Sequence, residues 1–175
     1  PGGCGRLAYR STDRALAECN GTHSLRCPSG GGGEDAAALA SFEAHARETN
    51  EVFLLAARAI ARVLVALAGG RSPAEAMEHF PGLPWWDAVP PPEDEDPAEF
   101  QQTLHVLLED SWRLLVPVLA RRVSAAGVGG AVALLQSSDA YDAYATSVRT
   151  VGPCERRGCA PAAAAPILVA LLAVA

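Results

Sequence analysis

The sequence predicts an all-α fold: an antiparallel helical bundle of three main helices plus one or two short ones. Apolar and small residues recur in steps of three and four along extended segments, which is the period of an amphipathic helix. Two segments also begin with residues typical of a helix N-terminus, and no segment alternates apolar and polar residues as a half-buried strand does.

The first main helix is predicted from about Glu34 to Ala68. Its apolar stripe consists of Leu39, Phe42, Ala46, Thr49, Phe53, Ala56, Ile60, Val63 and Leu67. Neither Pro nor Gly interrupts the run before Gly69-Gly70, so the spacing allows one rod of roughly 50 Å at about 1.5 Å per residue. The second half is apolar almost all round, which is typical of a helix inside a bundle.

Two short patterns predict helix starts. Ser72-Pro73-Ala74-Glu75 is a capping box with Pro at the first helical position, and it predicts a short helix to about Phe80. Asp96-Pro97-Ala98-Glu99 repeats the signal and predicts the second main helix, which runs to about Ala126. Pro117 is expected to kink this helix or to lie near a break, because proline cannot donate the helical hydrogen bond.

The remaining segments give one long connection and one further main helix. Pro81 to Asp96 is predicted to be a connection because it holds several prolines and a run of acids. A weaker apolar stripe after Gly130 predicts the third main helix through Ala131, Leu134, Ser138, Tyr141, Ala145 and Val148. An extra short helix is predicted near Ser11 to Glu18.

Composition divides the chain into three predicted parts. Residues 1–33 form a Cys- and Gly-rich N-terminal segment, residues 34–152 form the helical domain, and residues 153–175 form a spacer and an apolar tail. A chain of 175 residues is long enough for one hydrophobic core and too short for two large ones.

The five cysteines lie only near the two ends of the chain, at Cys4, Cys19, Cys27, Cys154 and Cys159. This placement predicts disulfides that link the termini, although an odd count leaves one thiol over. Asn20-Gly21-Thr22 matches an N-glycosylation acceptor, and together these features favour a secretory route. The alternative of flexible termini stays open.

A structural zinc site is the competing use of these cysteines. Cys154 and Cys159 have the spacing of half such a site, whereas Cys19 and Cys27 lie too far apart and the histidines are scattered singly. We therefore predict no metal site and interpret His23, His45, His79 and His105 as ordinary surface or half-buried histidines.

The C-terminal tail, Ala160 to Ala175, has no polar side chain. As a helix it would span about 24 Å, which is shorter than the roughly 30 Å hydrocarbon core of a bilayer. An apolar terminus after a polar stretch and small residues is typical of a glycosylphosphatidylinositol attachment signal. The sequence therefore predicts membrane attachment through this tail, with a truncated transmembrane span and a core helix as the alternatives.

Charge and motifs exclude several functions. The net charge is −6, and no cluster of basic residues suits a nucleic acid backbone. The sequence lacks the common motifs for serine hydrolases, zinc proteases, phosphate-binding loops and dinucleotide binding. We therefore expect no enzyme activity and no cofactor.

Trp85 and Trp86 are the predicted partner-binding residues, because large rigid side chains in a Pro-rich connection can anchor an interface. Their alternative role is to fill the end of the core, and Tyr141 and Tyr144 share that ambiguity. The overall prediction is a cell-surface or viral-envelope glycoprotein whose helical ectodomain binds a protein partner. The alternative prediction is an intracellular, tail-anchored helical regulator that binds partner helices.

Overall fold

The computed structural model describes residues 11–13, 21–27, 32–78 and 84–151, and within these ranges the protein is all-α with no strand. This confirms the predicted fold class. The antiparallel bundle arrangement and the disulfide-linked termini stay predictions. The helices are α1 (Thr22–Arg26), α2 (Gly33–Glu48), α3 (Val52–Ala68), α4 (Pro73–Met77), α5 (Trp85–Ala88), α6 (Pro97–Ala125), α7 (Gly129–Leu135) and α8 (Ser138–Val151).

The run from Glu34 to Ala68, which the spacing allowed to form one rod, is divided by a turn into α2 and α3. Thr49 donates its hydroxyl hydrogen to the His45 carbonyl at 2.6 Å, and the Asn50 side-chain oxygen accepts from the Val52 amide at 3.0 Å. The Thr49 amide still donates to the His45 carbonyl at 3.0 Å, whereas the Val52 amide has the Asn50 side chain as its acceptor, which favours a new helix start. The apolar period continues across the turn, which is why periodicity alone could not locate it.

Both predicted helix starts are confirmed. Ser72 and Glu75 form the reciprocal capping box at α4, with Pro73 at the first helical position. At α6 the Asp96 carboxylate accepts from the Ala98 amide at 2.9 Å and from the Glu99 amide at 3.1 Å. The helix is assigned without interruption through the exposed Pro117, so the expected break near that residue is absent.

Glycines end α3 and α6 in the same way. Gly70 and Gly127 have positive φ angles of 88° and 75°, which glycine adopts without the strain that a side chain causes. After α6, the Val128 amide donates to the Val123 carbonyl at 3.0 Å and the Gly127 amide donates to the Ser124 carbonyl at 2.9 Å. This is the Schellman pattern, and it satisfies carbonyls that the end of a helix would leave unpaired.

Two other sequence predictions need correction. The predicted third main helix is two helices, because α7 ends at Leu135 and α8 begins at Ser138, and the Ser137 hydroxyl donates to the Leu134 carbonyl at 2.6 Å. The predicted connection between residues 81 and 96 contains the helical turn α5. The short helix predicted near Ser11 to Glu18 lies mostly outside the described residues.

The core lies between the long helices. Helix α3 packs chiefly against α8, and α2 packs chiefly against α6. The fully buried large side chains include Phe53, Ile60, Leu64, Leu108, Leu115, Leu119 and Tyr144. Helix α5 contacts both α6 and α8, so it fixes the tryptophan pair at the junction of these two helices.

Candidate functional site

A continuous series of aromatic rings leads from the core to the surface. Within the core, Phe53 lies edge-on to Trp85, with ring centroids 5.6 Å apart, and stacks with Tyr144 at 6.4 Å. From Tyr144 the series continues to Trp112 at 5.0 Å. Such ring pairs add stabilisation beyond their buried area, so the series forms one packed unit across α3, α5, α6 and α8.

The outer part of this series is half-buried. We call its four rings the aromatic surface: Trp86, His105, Trp112 and Tyr141. Trp86 stacks on His105 with centroids 3.9 Å apart and on Tyr141 with centroids 6.0 Å apart. Tyr141 in turn meets Trp112 at 6.0 Å and an angle of 66°. Three helices therefore position the surface: α5 supplies Trp86, α6 supplies His105 and Trp112, and α8 supplies Tyr141.

The two predicted partner-binding residues have different positions. Trp85 is only 6% exposed and packs against Phe53 in the core, whereas Trp86 is half-buried in the aromatic surface. Consecutive residues on a helix point about 100° apart, so one turn can place the first ring in the core and the second at its edge. The binding role of Trp86 stays a prediction, and Trp85 has the core position that was its alternative.

Two carboxylates act on Tyr141 of the aromatic surface. Burial raises the pKa of Tyr141 above its ordinary value, and the negative charges of Glu109 and Asp142 raise this pKa further. Glu109 and Asp110 both accept hydrogen bonds from Arg113, at 2.8 Å and 3.2 Å. The two charges therefore disfavour the tyrosinate form of Tyr141.

A buried hydroxyl pair lies beneath the aromatic surface. The Ser111 and Tyr144 hydroxyls are hydrogen-bonded to each other, and both residues are 0% exposed. Burial raises the pKa of Tyr144 well above its ordinary value, against the opposing effect of the Ser111 hydrogen bond. The pair satisfies two polar groups that would otherwise be costly in an apolar core.

A charged network lies near the C-terminal end of α6. The Asp35 carboxylate accepts from Arg121 at 2.8 Å and from Arg122 at 3.0 Å, and Arg122 also donates to the Ser24 carbonyl at 2.9 Å. The hydrogen bond from Arg121, followed by that from Arg122, lowers the pKa of Asp35 below its ordinary value. This network fastens α1 and the start of α2 to α6.

Most other predicted site residues lie outside the described residues. These are Asn20, Cys4, Cys19, Cys154 and Cys159. Cys27 is described and is buried at the end of α1. The disulfides therefore stay a prediction. Among the described residues, no group of three or more His, Cys, Asp or Glu side chains is arranged to hold a metal ion.

Two members of the aromatic surface were not predicted from the sequence. His105 was expected to be an isolated histidine, and Trp112 had no predicted role. A spacing signal was present: His105, Glu109 and Trp112 follow each other at intervals of four and three, which places them on one face of α6. The signal becomes specific only when α5 and α8 bring Trp86 and Tyr141 to that face.

Comparison with known proteins gives one partial similarity. The chain is 32% identical over 120 residues to the histone-lysine N-methyltransferase ATXR2 of Arabidopsis thaliana. The match covers 57% of this chain and 25% of the plant protein, so the chain spans about a quarter of that relative's length. No family model matches the chain. No solved structure matches it.

This similarity overturns the predicted location. The predictions of a membrane-attached glycoprotein, a lipid anchor and a cell-surface or secretory-pathway location are wrong, because the relative is named as an enzyme that methylates histone lysines. In the part of the chain that the structure describes, no helix has both the length and the apolar character needed to cross a bilayer. The apolar tail, residues 160–175, lies outside that part.

The expectation that the chain is not an enzyme is not confirmed. The plant relative is named as a methyltransferase, and the match covers only a quarter of it. The similarity therefore indicates a relation to part of an enzyme.

Proposed function

We propose that this chain is a non-catalytic helical portion of a protein related to histone-lysine methyltransferases, and that it binds a protein partner. The observation that carries the proposal is the 32% identity over 120 residues to the plant histone-lysine methyltransferase. That protein's name gives histones as its substrate, so histones are the first partners to test.

The aromatic surface is the proposed contact region. Large aromatic side chains are enriched at protein interfaces because each buries much area with few rotatable bonds. Trp86, Trp112 and Tyr141 are half-buried, so they keep exposed area while the packed rings beneath hold them in place. A rigid contact surface reduces the entropic cost of binding.

The buried hydroxyl pair supports a non-catalytic role. Ser111 and Tyr144 are hydrogen-bonded to each other and are closed to solvent. Burial also raises the pKa of Tyr144, so its phenol stays protonated at neutral pH and is not a base. The pair is therefore suited to stabilising the core beneath the contact region.

The test uses the purified full chain immobilised on resin, with core histones as prey and serum albumin as the control. We expect the resin to retain histones, and we expect Trp86→Ala to reduce retention. Leu55→Ala, which truncates an exposed apolar residue on α3, serves as the matched control and should retain histones normally. Absence of retention by the unmodified chain would refute histones as the partner.

A second readout tests the non-catalytic part of the proposal. The chain is incubated with histones and radiolabelled S-adenosylmethionine, a general methyl donor, and the label in the histones is counted. We expect no label above the protein-free background. Incorporation that depends on the chain would show that it is an enzyme.

A further inference from the structure

We propose that the ligand of the aromatic surface is a lysine-bearing basic peptide segment, bound with a lysine ammonium group over the rings and between the nearby carboxylates. This inference rests on the proposed function, because it specifies the chemistry of the partner that the function requires. The juxtaposition that carries it is three half-buried rings beside two carboxylates of α6 and α8.

The rings have the geometry for a cation. Trp86 and Tyr141 are tilted by only 23° to each other, and Trp112 is turned by 66° from Tyr141. Each neighbouring pair of centroids is 6.0 Å apart, so one ammonium group can lie within about 6 Å of more than one ring. His105 and Tyr141 both stack on Trp86, so we place the cation over Tyr141 and Trp112, and Trp86 holds the Tyr141 ring in position.

The carboxylates supply matching charge. Glu109 and Asp142 are exposed. Glu109 lies one turn before Trp112 on the same face of α6, and Asp142 follows Tyr141 on α8. Their negative charges also raise the pKa of the Tyr141 phenol. A cation on the aromatic surface would therefore meet the negative ring faces and the carboxylates together. The net charge of −6 for the whole chain favours a basic partner over an acidic one.

Arg113 is the competing cation. It bonds Glu109 at 2.8 Å and Asp110 at 3.2 Å, and its side chain is 68% exposed. Exposed ion pairs of this kind contribute little stability, so the guanidinium can turn toward solvent when another cation arrives. Asp142 follows Tyr141 on α8, so a second helix also supplies a negative charge to the site.

These features distinguish a lysine segment from an apolar one. A purely apolar segment would bury apolar area against the rings. It would also remove water from the two carboxylates without pairing them, which is costly. An acidic segment would be repelled by the same carboxylates. A lysine side chain suits both parts, because its methylene stem packs on rings while its ammonium meets the charge.

The experiment measures fluorescence anisotropy of three labelled peptides with the full chain. The peptides have equal length and a Gly-Ser background, and they carry lysine, norleucine or glutamate at the same positions. We expect the lysine peptide to bind, and we expect added NaCl to weaken this binding because the carboxylates are exposed. The norleucine and glutamate peptides should bind at least about three-fold more weakly.

Substitutions locate the site. Glu109→Gln and Asp142→Asn each keep side-chain size and should each weaken binding of the lysine peptide, as should Trp86→Leu. Glu34→Gln is the matched control: it removes one exposed carboxylate near Arg121, about 18 Å along α6 from Glu109 at about 1.5 Å per residue. Circular dichroism of every variant checks that the helices are retained.

Several outcomes overturn the inference. Equal binding of the norleucine peptide would make the site an apolar groove, and unchanged binding by both carboxamide variants would remove the charge argument. A self-association that Trp86→Leu abolishes, seen in sedimentation, would make a second copy of this chain the occupant. Absence of any binding by the lysine peptide would also overturn it.

The inference and the proposed function can fail separately. Retention of histones that is unaffected by Glu109→Gln and Asp142→Asn would leave the proposed function intact and refute the lysine site. Binding of the lysine peptide at the aromatic surface without retention of histones would support the site and refute histones as the partner.

Discussion

Breaking the buried hydrogen bond between Ser111 and Tyr144 tests how much the core depends on one polar pair. Both side chains are fully buried, and they join α6 to α8 beneath the aromatic surface. Three variants are needed: Ser111→Ala, Tyr144→Phe and the double substitution. Together they form a double-mutant cycle, which isolates the energy of the pair.

The two single substitutions should have unequal effects. Ser111→Ala leaves the Tyr144 hydroxyl buried without its partner, and we expect a loss of about 1–3 kcal/mol in the free energy of unfolding. Tyr144→Phe should cost only about 1 kcal/mol, because the Ser111 hydroxyl can share the Leu107 carbonyl four residues earlier, which also lies 3.3 Å from His45 Nε2. The double variant removes both polar groups, so its loss should be smaller than the sum of the single losses.

The assay is urea denaturation followed by circular dichroism, with the slope of the transition compared between variants. Ser41→Ala is the control, because it makes the same change at an exposed position of α2 and should stay within about 0.5 kcal/mol. Losses that add within about 0.5 kcal/mol would show that the pair is not coupled and would refute the reasoning.

Three further predictions concern the helix ends, the charged network and alkaline pH. Gly127→Ala should destabilise the protein by about 1–2 kcal/mol, because this position has a φ of 75°, whereas Gly130→Ala within α7 should be neutral or stabilising; equal effects in thermal denaturation would contradict the backbone argument. Asp35→Asn should destabilise the protein far more than Glu34→Gln. The first substitution removes a carboxylate partner from Arg122, whose side chain is 7% exposed, whereas the Glu34 side chain is 85% exposed. Comparable urea midpoints for the two variants would refute this. The lowered pKa of Asp35 also means that its contribution is present at neutral pH and is lost as pH falls through its folded-state pKa. The raised pKa values of Tyr141 and Tyr144 change stability in the opposite direction with pH. Their contribution to the free energy of unfolding is present below the unfolded-state pKa of about 10. It is lost as pH rises above that value, by at most about 1.4 kcal/mol per pH unit for each group. Urea midpoints measured above pH 10 should therefore fall, and Tyr144→Phe should reduce the fall; an unchanged fall in this variant would exclude Tyr144 as its source.

The sequence predicted the helical class and the helix starts, because these depend on local chemistry. The capping box at Ser72 and the Asp96 cap need only the residues beside them. Periodicity did not predict the turns, because the apolar stripes continue on both sides of Asn50 and of Gln136. Side-chain hydrogen bonds lie at these two helix boundaries. Those bonds compete with the helix by small energies that a residue pattern does not contain.

The prediction of the cellular location failed for a different reason. The cysteines, the glycosylation pattern and the apolar tail are short features, and each occurs in proteins of several compartments. The similarity to a histone-lysine methyltransferase depends on 120 residues and therefore outweighs them.

The aromatic surface could not be read from the sequence because it is assembled from three distant segments. The surface combines rings from three different helices, those of Trp86, Trp112 and Tyr141. Only the contacts of α5 with α6 and α8 bring these rings together. The same short helix sends Trp85 inward to Phe53, so one turn links the core to the surface. Substitution of Trp85 should therefore mainly reduce the stability of the fold, as expected for a core residue. Substitution of Trp86 should mainly reduce partner binding, as expected for a contact residue.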